Sequence, residues 1–278
     1  MIELPEAITI ARQISKELKG EKVVSAIRGG SPHKFAFTGE YSDKEFANIV
    51  KGKKVGDARA NGSIILVDLE PDYVLSLGCG GERILIHTSK ATLPKKHQLM
   101  INFQDDIHLA VTISGWGEVR LLEQSDLSNH PHIKWDTISP LSDSFTFTYF
   151  TGLIDSLPEN KRVSAKYFII SEPGIWGVGN GCLQDILYRA KIHPKRQVTS
   201  LSNKERVTLH ATIGQTLAEM VELGGRDSEH DLYNKRGRYQ RILHSKIVGK
   251  PCNECRTPIK KIQYLGGAAY FCPSCQVE

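Results

Sequence analysis

Pro251-Cys252-Asn253-Glu254-Cys255, followed sixteen residues later by Cys272-Pro273-Ser274-Cys275, is the stretch from which the rest of the chain is read. Two residues between thiols let one loop present both sulfurs to a single ion. Two such loops supply the four ligands of a closed tetrahedral site. Between them, Lys260-Lys261-Ile262-Gln263-Tyr264 and Ala269-Tyr270-Phe271 read as two short strands turned at Gly266-Gly267. A hairpin of that size has too little core to hold itself and is held by metal. One structural zinc is expected on Cys252, Cys255, Cys272 and Cys275. The alternative, two disulfides, is opposed by the reducing character of the rest of the chain. A closed site leaves no open coordination position, so this ion holds the hairpin rigid and does no chemistry.

The chain has 278 residues, 40% hydrophobic and 24% charged, an ordinary globular composition with room for two domains and a small appendage. No apolar run approaches the ~20 residues of a membrane span. The start lacks a basic stretch followed by an apolar one, which excludes a secretory signal. Cys79 and Cys182 read as free thiols, and a cytoplasmic location is expected. Net charge is +5. Between Arg226 and Lys261 lie ten Lys and Arg against four acids, an excess as large as that of the whole chain. Basic residues beside a rigid hairpin suit phosphate contact, although a solvated basic face has the same composition.

Taken in order, Pro5 and Glu6 open a helix whose apolar positions Ile8, Ala11, Ile14 and Leu18 recur at helical spacing until Gly20. Short β runs follow at regular spacing, at 23–27, 34–38, 64–69, 73–77, 83–87, 99–103, 107–113 and 117–122. They predict a β-sandwich, with a short helix over 42–50 inserted. Residues 124–160 carry Pro131, Pro140 and Pro158 and read as a hinge containing helical pieces. Beyond it the periodicity is helical: 161–170, 182–190, and a helix capped by Ser202 and Glu205 that runs to Leu223. The turn Gly174-Ile175-Trp176-Gly177-Val178-Gly179-Asn180 is rich in glycine and opens a helix. Its backbone can approach a phosphate closely, or it is simply a tight helical corner.

Four stretches together resemble the formamidopyrimidine-DNA glycosylase and endonuclease VIII family of base-excision repair. They are Met1-Ile2-Glu3-Leu4-Pro5-Glu6, Leu77-Gly78-Cys79-Gly80-Gly81, Gly177-Val178-Gly179-Asn180 through Ile192-His193-Pro194, and the cysteine finger with Pro251 and Thr257-Pro258-Ile259. The resemblance covers essentially the whole chain. It implies an α+β fold: an N-terminal β-sandwich with a leading helix over 1–125, a hinge over 126–160, a helix–two-turns–helix domain over 161–245 and a β-hairpin zinc finger over 246–278. It implies double-stranded, damaged or abasic DNA as partner, bent and with the damaged nucleotide flipped out, bound by a monomer at the nucleoid. Asn180 matches the family's phosphate-binding asparagine. Gly179, Arg236, Arg238 and Lys260 are the further expected phosphate contacts.

The resemblance also marks departures. In the family, methionine removal exposes a proline whose secondary amine attacks the sugar C1′, with the following glutamate moving protons. Here Glu3 and Glu6 are kept, but position 2 is Ile2. Methionine is normally removed only before small residues, so the free amine is that of Met1, displaced by about 3.5 Å. The family's lysine falls near Ser63, with Arg59 the nearest basic residue, and the finger arginine falls at Gly267. The void-filling loop becomes Cys79, one of Ser114-Gly115, and Trp116, of which only Trp116 remains a wedge able to unstack bases. Two functions fit: an atypical glycosylase using Met1, Glu3 and Glu6, monofunctional with little lyase activity, or a DNA-binding module without chemistry.

Overall fold

The computed structural model describes every residue except Pro32, Cys79, Glu159 and Asn160, so the expectations for Cys79 lie outside the described residues. The chain forms two compact units. The first is Met1–Asp136 with Val221–Tyr239, and the second is Thr137–Met220 with Gln240–Glu278.

The first unit opens with α1 (Leu4–Leu18). Pro5 is pre-set for a first turn, and the Glu6 carboxylate accepts from the Glu3 amide at 3.1 Å, satisfying one of the orphan donors of a helix start. Ala7, Ile10, Ala11, Ile14 and Leu18 form the buried face, and Gly20, at φ +94°, ends the helix. Two sheets follow. One has the order β1 (Ser25–Arg28), β7 (Leu99–Asn102), β8 (His108–Ile113), β6 (Glu82–His87). The other has the order β2 (Ala36–Phe37), β9 (Gly117–Glu123), β5 (Tyr73–Gly78), β4 (Ile64–Glu70), β3 (Lys54–Asn61). α1 packs on β3 and β4, which is why Ile64-Ile65-Leu66-Val67 is buried on both faces and apolar throughout. α2 (Asp43–Val50) packs on β1 and is capped by Ser42 and Glu45.

β3 has no counterpart among the strands expected from sequence. Lys54-Val55-Gly56-Asp57-Ala58-Arg59-Ala60-Asn61 does not alternate, because its register with β4 shifts between Val55 and Ala58. That irregularity breaks the period of two on which a strand is recognised. The second difference concerns Val221–Tyr239, expected with the helical domain but folded into the first unit. Gln13 of α1 exchanges bonds with it: its Nε2 donates to Asp231 at 2.9 Å and its Oε1 accepts from Leu232 N at 2.9 Å. Leu232 is fully buried in the sandwich core.

In the second unit lie α3 (Phe147–Asp155), α4 (Ala165–Ile170), α5 (Asn180–Arg189) and most of α6 (Asn203–Glu222). α4 starts at its Ser164 cap rather than at residue 161. Ser202 and Glu205 form the expected reciprocal cap of α6. The finger hairpin pairs β10 (Lys260–Tyr264) with β11 (Gly267–Phe271). Its turn is Leu265-Gly266, both at positive φ, and Gly267 is already paired with Tyr264. That is the two-residue geometry that matches strand twist.

The loop after β5 holds the chain start. Ile2 N donates to Gly80 O at 2.8 Å, and Gly81 N donates to Trp116 O at 2.7 Å. A Cβ on Gly81 would lie 2.4 Å from the Ser114 carbonyl oxygen, and one on Gly80 2.9 Å from that of Trp116. Backbone on both sides leaves no room for a side chain. Gly81→Ala is expected to cost about 1–3 kcal/mol by overpacking, read as a lowered urea midpoint with unchanged slope.

Candidate active site and nucleic-acid interface

Arg226 holds the chain start together. It is 2% exposed, and so are Glu3 and Glu6. Its Nη1 donates to Glu3 Oε1 at 2.9 Å, its Nη2 to Glu6 Oε2 at 2.6 Å and to the Met1 carbonyl at 2.8 Å, and its Nε to Glu6 Oε1 at 3.0 Å. Its own amide donates to Glu6 Oε1 at 3.0 Å. One planar fork thus serves two buried carboxylates and a carbonyl, a geometry that lysine lacks. Sequence reading counted Arg226 among residues available to phosphate; the fold instead encloses it against carboxylates.

Beside this clasp is a cavity of about 330 Å³ lined by Met1, Ile2, Gly81, Glu82, Arg83, Thr112, Ser114, Ser228, Glu229 and His230. Met1 is 63% exposed, and its terminal ammonium donates to Glu229 Oε2 at 2.6 Å. Glu229 Oε1 accepts from Ser228 Oγ at 2.9 Å. Burial works against the charge of Glu229, but the terminal ammonium and Arg226 outweigh it and hold the carboxyl below its ordinary range. His230 is lowered by burial and by Arg83 and Arg236. Its neutral ring fits the Arg83 guanidinium, whose Nη2 lies 3.1 Å from Nδ1. Glu82 accepts from Gly80 N at 2.9 Å and Glu118 N at 2.8 Å. Burial nevertheless pushes it to about 8.

Trp116 is 58% exposed and stacks on two rings of the β2 segment: Phe35 at 4.8 Å and 26°, Phe37 at 5.6 Å and 29°. It is therefore a surface aromatic rather than a core one. Arg59, the basic residue nearest the missing lysine, is bound to Asp68 at 2.7 Å. Arg236 and Arg238 are exposed in the 221–239 segment of this unit.

In the second unit, Gly179 is the N-cap of α5 and Asn180 its first residue. Asn180 Nδ2 donates to Ala268 O at 3.1 Å, while its buried Oδ1 has no partner. Gln184 completes the seam: its Nε2 donates to Ala268 O at 3.1 Å and its Oε1 accepts from Tyr270 N at 3.0 Å. One amide side chain thus substitutes for a neighbouring strand along β11. Buried Lys166 donates to Tyr264 O at 2.8 Å, and a Cβ on Gly267 would lie 3.7 Å from its Nζ. His193 packs edge-on against Phe271, with ring centroids 4.4 Å apart. Lys260 is exposed on β10.

The Sγ atoms of Cys252, Cys255, Cys272 and Cys275 all lie within 4.8 Å of one another. All four are free thiols. Metal–sulfur bonds of about 2.3 Å in a tetrahedron require sulfurs about 3.8 Å apart; the Cys252–Cys275 separation is 3.9 Å. Hydrogen bonds from the Thr257 side chain and backbone bring Cys255 down to about 6. Burial and the crowding of neighbouring sulfurs push Cys275 upward. Four sulfurs converging at this spacing are the donor set of a tetrahedral thiolate site, so the residues fit a metal. Tyr188 Oη lies 3.2 Å from Cys252 Sγ and ties the cluster to α5.

Arg226, Glu229 and Gln184 were not singled out from the sequence. The signal available for Arg226 was its place after Gly224-Gly225, both at positive φ, where the chain turns sharply out of α6. Arg226→Ala would remove the one guanidinium that engages both buried carboxylates and is expected to cost about 3–5 kcal/mol, measured by urea unfolding. Glu82 gives a pH signature. Its folded pKa lies above the unfolded one, so the stability it contributes is complete below about pH 4 and declines as pH rises toward 8. Its carboxyl carbon resonance is expected to move between about pH 7 and 9; a transition near pH 4 would refute the assignment.

Family models match the chain in two consecutive parts: the Formamidopyrimidine-DNA glycosylase N-terminal domain over residues 1–137 and the Formamidopyrimidine-DNA glycosylase H2TH domain over residues 137–231. A formamidopyrimidine-DNA glycosylase of Listeria innocua is 28% identical over 99% of the chain and 100% of its own length. One of Chloroflexus aggregans is 27% identical over 100% and 99%. Among solved structures, the Lactococcus lactis Fpg in complex with abasic-site DNA has a TM-score of 0.86 at 22% identity, covering 99% of this chain and 100% of that one. The same enzyme with an N7-benzyl-Fapy-dG DNA also gives 0.86 at 22%. At that identity the structures speak for the fold, and the two family models speak for descent: the chain belongs to the formamidopyrimidine-DNA glycosylase family.

Proposed function

We propose that the protein is a DNA glycosylase acting on damaged double-stranded DNA, and that it releases the base by hydrolysis without efficient strand cleavage. The observation that carries this reading is the state of the nitrogen at position 2. In Ile2 it is a peptide nitrogen, bonded to Gly80 O and buried with its side chain. An amide has no basic lone pair and cannot form an imine with the sugar. Hydrolysis needs a base for water, and Glu3, next in sequence to Met1 and Ile2 of the cavity wall, takes that role. The Arg226 guanidinium donates to the Glu3 carboxylate and fixes its orientation. Glu6 fixes the guanidinium from the other side.

Binding rests on groups in each unit. Asn180 and the Gly179 turn, with Lys260, offer donors and charge to phosphates in the second unit. Arg236 and Arg238 do so in the first. Trp116, exposed and aromatic, is the wedge that unstacks bases. Zinc is the metal for the four cysteines: it takes tetrahedral thiolate sites and has no redox chemistry to disturb DNA. One observation favours the alternative of a binding module without chemistry: Arg226 engages both Glu3 and Glu6, so the clasp alone gives both residues a use.

Duplexes carrying oxidised bases, assayed separately for base release and strand cleavage, decide between the two. Base release without cleavage is expected, and Glu3→Gln should lower it at least about a hundredfold, the lower end of what acid–base groups contribute, with duplex affinity retained. No release from any oxidised base would leave the binding module. Asn180→Ala is expected to weaken all duplexes alike and to flatten the salt dependence by about one phosphate contact. Metal analysis should find one zinc per chain; less than about half an equivalent would refute the site.

A further inference from the structure

A groove in the second unit takes no part in the proposed reaction. It lies beside the first cysteine pair and holds about 440 Å³, within the roughly 300–1,000 Å³ of ligand-binding clefts. Its inner wall is apolar. Tyr188, Leu243 and Ile259 are buried there, with half-buried Ile242 and Ile247 packed against them. Its outer wall is cationic. Lys250 and Arg256 are exposed and Arg241 is half-buried. Among the described residues no acid lines the groove, and Glu254, the acid nearest in sequence, lies outside it. Sequence reading counted these three cations in a stretch suited to phosphate; the fold sets them around apolar side chains. Backbone bonds hold the groove in shape. Asp185 accepts from the amides of Ile242 and Leu243 at 2.8 Å each. Gly249 N donates to Ile259 O, Ile259 N to Lys250 O and Cys252 N to Thr257 O, each at 2.9 Å. A site formed before its ligand arrives pays less to order itself on binding.

These walls select a ligand that is apolar and anionic at once. A DNA backbone is anionic but carries no aliphatic branch to fill an apolar recess. The α5 residues nearest the phosphate turn are also used elsewhere: Asn180 and Gln184 bond to β11, whereas Tyr188, about 12 Å further along the helix, lines the groove. A peptide with isoleucine or leucine between aspartates or glutamates carries both properties. Its apolar side chains leave water for the inner wall. Its carboxylates meet the cations, which also steer the encounter. We propose that this groove docks an acidic segment of a partner protein, with apolar side chains against Ile242 and Ile247 and carboxylates beside Lys250 and Arg256. The groove makes no demand on the chemistry at the chain start, so the assignment stands apart from the hydrolytic reading above.

The test uses the full chain and fluorescein-labelled peptides, read by anisotropy. The probe carries an isoleucine and a leucine flanked by aspartates, and saturable binding is expected. Serine in place of both apolar residues should weaken it at least about tenfold, the lower end for burying one aliphatic side chain. Lysine in place of the aspartates should abolish it. On the protein, Lys250→Gln and Arg256→Gln are each expected to weaken the probe about twofold to fivefold, within the range of an exposed ion pair. Metal content and affinity for a plain duplex should stay unchanged in both. Should either variant lose its metal, the peptide substitutions still decide, because they leave the protein untouched. No saturable binding, or equal binding of the serine or the lysine peptide, overturns the proposal. Variants that weaken the duplex as much as the peptide also overturn it and give the groove to nucleic acid instead.

Discussion

The buried ion triad of Arg226 with Glu3 and Glu6 is the constraint on which the first unit depends. A triad of this kind adds little net stability compared with apolar packing, because each charge must be stripped of water. What it does is fix position. The guanidinium binds two carboxylates one helical turn apart and the Met1 carbonyl, so the first residues of the chain have one place to go. Everything at the candidate site follows from that placement. Ile2 reaches Gly80, the glycines of the 78–81 loop accept the close approach, and the terminal amine meets Glu229.

The second unit solves the same problem with a cluster of four cysteines and side-chain amides. Its hairpin has little core of its own: Ile259 and the buried Cys252 and Cys272 pack on Tyr188 and Leu243. Gln184 and Asn180 pair with β11 along its backbone, so the finger is docked on α5 by hydrogen bonds that resemble a third strand. Asp185 receives the amides of Ile242 and Leu243 at 2.8 Å each and anchors the segment that leads into it. The turn that opens α5 and the finger therefore share one support.

Much of this was legible in the sequence, and the reasons are local. The cysteine spacing states its own geometry. The periods of α1, α5 and α6 are written in their apolar residues, and Ser202/Glu205 mark a helix start by a pairing of neighbours. What was not legible depends on distance along the chain. β3 hides behind a register shift. Arg226 reads as one more basic residue in a basic stretch until Glu3, 223 residues away, is placed beside it. Glu229 is likewise one acid among several until the chain start arrives. Local pattern gives elements; it does not say which buried charge answers which.

The discontinuity of the first unit has a consequence for how the molecule is made. Its sandwich strands all lie before residue 124, but Leu232 completes their core and the Met1–Glu229 pair spans 228 positions. On a ribosome the N-terminal segment emerges first and waits, with two carboxylates destined for burial and no cation to meet them, until Arg226, 223 positions beyond Glu3, is synthesised. Closure of the first unit is then coupled to completion of α6, whose end delivers Arg226. A chain interrupted within α6 would carry every strand of the sandwich and still lack the residue that engages both carboxylates at the start of its first helix.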